Sequence, residues 1–215
     1  MTLPTKPYLE QKKSWPERGR HILAHHDDDS IIVYQAYRPE IGGFTAQHGY
    51  FGGAFSYSRM SWIKPNFLWM MYRSGWGTKP GQEVTLATRL PRSLFDEILA
   101  AAVPSSYTSK LYETREQWSD ALKSSEVRLQ WDPDHDPTGL KVERRAIQLG
   151  LRGSMLERYG KSELLDVTDI SGFVAEQRRF ATPDNYDQLL TPAETVYRPA
   201  NSAVAKHVGL SDWLG

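Results

Sequence analysis

The chain has 215 residues, no cysteine, and 26 basic against 26 acidic side chains. Disulfides, thiolate metal sites and cysteine nucleophiles are therefore excluded, and so is a uniformly basic nucleic-acid binder, although a local basic patch stays open. The length suits one large domain, and no apolar run is long enough for a secretion leader or a membrane span, so a cytoplasmic protein with no membrane partner is expected.

Residues 1–20, with Pro4, Pro7 and Pro16, read as an extended arm ahead of a core domain over 21–181. His25-His26-Asp27-Asp28-Asp29 holds metal-binding residue types, but no distant cluster completes a site, so it reads as a polar turn and no metal is expected. Ile31 to Tyr37 is β-branched and aromatic and predicts a strand buried on both faces, with Gln35 inside it. Pro39 opens a helix toward Tyr50, weakened by Gly42 and Gly43. Pro65 is placed as the first residue of a helix to Arg73, ended by Gly75.

Glu83 to Leu90 alternates as a second strand, and Pro91 opens a helix through Ala102. Thr114 caps a helix within the Tyr107–Ser125 connection. Val127 to Trp131 and Ala146 to Leu151 predict two more strands, and short helices follow near Ser154–Tyr159 and Ser171–Phe180. From Thr182 the polar, proline-bearing sequence reads as a loosely ordered tail over 182–215, with a short apolar end at Val208–Leu214. This order implies an α+β single domain, a small mixed or antiparallel sheet packed with several helices.

The segment Arg59 to Trp76 carries the chemistry. Arg59, Lys64 and Arg73 are interleaved with Trp62, Trp69, Tyr72 and Trp76. Arginine forks onto phosphate oxygens, lysine before a helix start adds charge beside free backbone N–H groups, and tryptophan stacks on planar rings. The opposing reading is a buried aromatic helix with snorkelling cations at its ends. Arg128 and Gln130 are two apart on one strand and share a face, and Gln35 and Gln148 sit in otherwise apolar strands, so together they can form a polar floor. Asp132 follows the third strand and is a candidate carboxylate. The run Asp132 to Asp136 starts like a calcium loop, but Pro137 stands where the loop needs glycine.

The blocks Val33–Tyr37, Arg59–Trp76, Val127–Pro133 and Arg145–Leu151 resemble the uncharacterised domain-of-unknown-function family forty-two ninety-one over about residues 20 to 180. The resemblance implies that these blocks form one unit of the fold. The start of the chain is also similar in topology to ADP-ribosyltransferase-like domains, which implies NAD contacts at Gln35-Ala36-Tyr37, with Gln35 standing where those domains have histidine or arginine.

The leading expectation is an enzyme, a transferase acting on a nucleotide, an NAD-like dinucleotide or a nucleic-acid end. Arg59, Lys64, Arg73 and Arg128 would hold phosphates, Tyr37, Trp62, Trp69 and Trp76 would pack the ring, and Gln35, Arg73, Gln130 and Asp132 would act on the reacting group. Two alternatives use the same residues: a non-catalytic RNA or single-strand binding module, and a protein-interaction domain with an exposed tryptophan hot spot.

Overall fold

A computed structural model describes residues 3–212 of the chain. In chain order its elements are β1 (Thr5–Pro7), α1 (Tyr8–Lys12), β2 (Gly19–Arg20), β3 (Ile22–Ala24), β4 (Ser30–Tyr37), α2 (Pro39–His48), β5 (Ser61–Ile63), α3 (Phe67–Ser74), β6 (Val84–Pro91), α4 (Arg92–Ala100), β7 (Ala102–Pro104) and α5 (Arg115–Ser124). There follow β8 (Val127–His135), β9 (Lys141–Leu151), α6 (Gly153–Glu157), β10 (Asp166–Asp169), α7 (Ser171–Gln177), β11 (Leu190–Pro192), β12 (Thr195–Tyr197) and α8 (Ser202–Val208). The fold is α+β and forms one domain, as the pattern of elements implied.

Two sheets organise it. β4, β6 and β10 form an antiparallel three-stranded sheet with β6 in the middle, and β9 and β8 form the long hairpin of a larger sheet that also takes in β2, β5 and β7. The alternation along β4 explains its all-apolar look. Ile31 and Val33 enter one core with Leu86, Phe95 and Ile147, while Ile32 and Tyr34 enter a second core with Phe67, Met71 and Ala87. α2 keeps its glycine for a packing reason: a Cβ on Gly42 would lie 2.5 Å from the Val84 side chain. α5 starts with the Thr114–Gln117 capping box.

Three expectations are corrected. The segment from Thr182 is built into the fold rather than trailing from it: β11 pairs with β1, β12 pairs with β3, and Leu189, Tyr197 and Val208 are buried. The end of its apolar stretch, Trp213 and Leu214, lies outside the described residues. The N-terminal arm likewise pairs through β1 and buries Tyr8 and Trp15. The third strand does not end at Trp131: Asp132 to His135 continue β8, and Asp134 is ion-paired to Arg144. Among the described residues no group of three or more His, Asp or Glu side chains is placed to hold a metal, and no helix is long and apolar enough to cross a membrane.

Candidate functional site

The site forms where the two sheets meet. β5 pairs with β9 through Ser61↔Leu151, Trp62↔Gly150 and Ile63↔Leu149. The next residue, Lys64, exchanges both backbone hydrogen bonds with Tyr34 of β4, at 2.7 and 3.2 Å. Four residues thus fasten the edge of the large sheet to the edge of the small one, and a cavity of about 480 Å³ opens beside the joint. Gln35, Tyr37, Met60, Ser61, Trp62, Lys64, Met70, Arg73, Gln82, Gln130 and Gln148 line it. Its volume is that of a small-molecule pocket.

One wall is a hydrogen-bonded cluster. The Gln35 amide, 2% exposed, donates to Tyr37 Oη and Ser61 Oγ, both at 2.8 Å, and to the Trp62 carbonyl at 3.2 Å. Its own carbonyl oxygen accepts from Tyr159 Oη at 2.6 Å, and Tyr37 and Ser61 share a bond of 2.6 Å. Burial pushes both phenols, Tyr37 and Tyr159, above the usual range, so they stay neutral. With its amide fully engaged, Gln35 is a rigid positioner of Tyr37 and Ser61.

The floor is the polar face of the large sheet. Gln130 and Gln148 are cross-strand partners, and both amides converge on Asp132, one on each carboxylate oxygen, at 2.8 and 2.7 Å. Gly150 lets the roof close down, since a Cβ there would lie 3.0 Å from the Trp62 ring and 2.6 Å from Met60 Sδ.

Two cations face this floor. Lys64 is 5% exposed, yet among the described residues neither it nor Arg73 has a carboxylate within ion-pair distance. Burial, with repulsion from the Arg73 guanidinium, pushes the Lys64 ammonium down to about 8, against the weaker pull of Asp132. A buried cation beside a second cation, with the nearby carboxylate occupied by two amides, is an arrangement that an anionic ligand would complete.

The cavity therefore gathers Gln35, Tyr37, Trp62, Lys64, Arg73 and Gln130, with Asp132 held beneath them. Arg128 shares the floor's face one pair further along, opposite Gly150, and its Nε is buried without a partner. Arg59 lines an adjoining cavity that shares Tyr37, Met60 and Ser61 with this one.

Two ring candidates stand elsewhere. Trp69 is buried beside the Tyr72–His135 stack, 5.3 Å from each ring, and does not line the cavity. Trp76 is buried against Phe67 and donates its indole N–H to the Pro137 carbonyl at 3.0 Å. It takes a left-handed φ of 54° between Gly75 and Gly77, and that turn swings it into the core.

The start of α3 is also already filled. The helix begins at Phe67 rather than at Pro65, with Asn66 as its cap accepting from Trp69 N at 2.6 Å, and Glu194 accepts from Phe67 N at 2.8 Å. Burial pushes Glu194 well above the usual carboxyl range. No external anion is needed there. Ser61, Tyr159, Gln82 and Glu194 were not singled out from the sequence. Ser61 stands directly before Trp62 inside the singled-out segment, whereas Tyr159 and Glu194 reach the region by hydrogen bonds from far along the chain.

A family model described as Domain of unknown function (DUF4291) matches residues 21–197, and the chain belongs to that family. The match contains β4, the Arg59–Trp76 segment, the β8–β9 hairpin and the buried strands β11 and β12. No curated protein matches the chain.

Proposed function

We propose that the cleft between the two sheets binds a phosphorylated small molecule of the nucleotide or dinucleotide class and transfers a group from it. The observation that carries this reading is Lys64: a buried ammonium lining the cavity, beside Arg73, with no counter-ion among the described residues. Burying a charge is costly unless it is paired, so the site is left for a ligand to neutralise. A single phosphate can accept from both Lys64 and the Arg73 fork. Trp62, over Gly150, supplies the aromatic wall, and the Tyr37–Ser61 pair supplies hydroxyls held in place by Gln35. Transfer from an NAD-like donor, or onto a nucleic-acid end, fits the same set of groups.

Isothermal titration of the full chain with NAD, ATP, inorganic pyrophosphate and a short RNA tests the proposal. At least one phosphorylated ligand is expected to bind, with Arg73→Ala weakening it by about tenfold or more. No binding to any of the four, or unchanged affinity in Arg73→Ala, overturns it. An RNA-binding module would instead favour the RNA alone, with affinity falling steeply as salt rises. The hot-spot alternative loses two of its anchors, because Trp69 and Trp76 are buried.

A further inference from the structure

We propose that Lys64 is a catalytic nucleophile that accepts a nucleotidyl group from a nucleoside triphosphate as a phosphoramidate on Nζ, an inference that rests on the nucleotide reading of the cleft. A lysine attacks only as the free amine, so a nucleophilic lysine has to be kept from a carboxylate partner and placed where its charge is disfavoured. Both conditions hold here. The side chain is buried at the cavity wall, and the Arg73 guanidinium adds like-charge repulsion. Asp132, the carboxylate that acts on Lys64, has each of its oxygens engaged by a glutamine amide. The ammonium is accordingly pushed down to about 8. On the order of a tenth of the molecules then carry a neutral amine at pH 7.

The second cation favours phosphorus over a neutral carbonyl carbon as the electrophile. Negative charge on the non-bridging oxygens persists through phosphoryl transfer, and Arg73 stands beside the amine to hold it. In the step, the Nζ lone pair attacks the α-phosphorus and a P–N bond forms. The bond from that phosphorus to the bridging oxygen breaks, and pyrophosphate leaves with the bonding pair. The surplus proton on nitrogen passes to water at the open mouth of the cavity. An acceptor hydroxyl can then take the nucleotidyl group and return the free amine.

The test is incubation of the full chain with each α-³²P-labelled nucleoside triphosphate and Mg²⁺, followed by denaturing electrophoresis and peptide mapping. The expected result is an acid-labile, alkali-stable label on Lys64, removed by added pyrophosphate and cut by about tenfold or more in Arg73→Ala. Lys64→Arg keeps a cation at the site but has no amine to form the adduct, so triphosphate binding should remain detectable, even if altered in strength, while the label is lost. Triphosphate binding without label, or label that survives Lys64→Arg, overturns the nucleophile and leaves the binding reading standing. Absence of any triphosphate binding overturns the nucleophile, and the binding reading falls with it only if NAD, pyrophosphate and RNA also fail to bind.

Discussion

Two buried cations in this protein are treated in opposite ways. Arg144 is 7% exposed and fully provided for: Asp134 Oδ2 lies 2.6 Å from one terminal nitrogen and 2.7 Å from Nε, the Pro16 carbonyl accepts from the other terminal nitrogen at 2.6 Å, and the Trp15 ring lies beneath the guanidinium. Lys64 is as deeply placed and has none of these among the described residues. The first ties the β8–β9 hairpin to the N-terminal segment through internal partners. The second lines a cavity. Buried charge marks structure where its partners are internal and a candidate site where they are missing, and burial by itself does not separate the two.

The largest effects should come from breaking the paired cation. Asp134→Ala leaves Arg144 charged and alone, at a cost of about 3–5 kcal/mol in denaturant unfolding. Lys64→Met should move the other way, stabilising the unliganded protein by about 1–3 kcal/mol while abolishing ligand binding. Equal destabilisation by both substitutions would erase the distinction.

The pH dependence separates the two next. Lys64 titrates near 8 in the fold against an ordinary value of 10.5, so the unfolded chain holds the extra proton between those limits. The penalty of burying it is fully present below pH 8, and stability recovers as pH rises from 8 toward 10.5, by at most about 3 kcal/mol. Buried phenols such as Tyr37 and Tyr159 oppose this at the alkaline end, since their pKa values are raised in the fold. The measurement is therefore the difference between wild type and Lys64→Met in urea unfolding from pH 7 to 10. That difference should shrink as pH rises, and ligand affinity should fall over the same range as the ammonium is lost. A pH-independent difference would mean that Lys64 is solvated or internally paired.

How much of this was legible in the sequence depends on range. β4 and α5 follow from local patterns, an apolar β-branched run and a capping box whose partners are three residues apart. The polar floor follows from strand alternation, which puts Arg128, Gln130 and Asp132 on one face before any pairing is known. What was not legible depends on partners far along the chain. Glu194 fills the start of α3 from 127 residues away, and β11 and β12 are three-residue strands that hold shape only against β1 and β3. Aromatic content alone could not separate Trp62 at the cavity from Trp69 and Trp76 in packed interior. That sorting is done by Gly150, by the His135 stack and by the left-handed turn at Trp76.

The smallest and most specific effect should come from making Lys64 resemble Arg144. Gln148 holds one oxygen of Asp132 at 2.7 Å and Gln130 the other at 2.8 Å, which keeps the carboxylate from closing on the ammonium. Gln148→Leu frees one oxygen while preserving the side chain's bulk, and Asp132 can then turn toward Lys64. An ion pair formed there favours the charged amine, so the Lys64 pKa rises and the alkaline gain in stability shrinks by about 1 kcal/mol. Anion affinity should drop by a few fold, because the incoming ligand must now compete with a carboxylate. Unchanged affinity and an unchanged pH profile in Gln148→Leu would show that the two amides do not restrain Asp132, and that the missing partner of Lys64 has another cause.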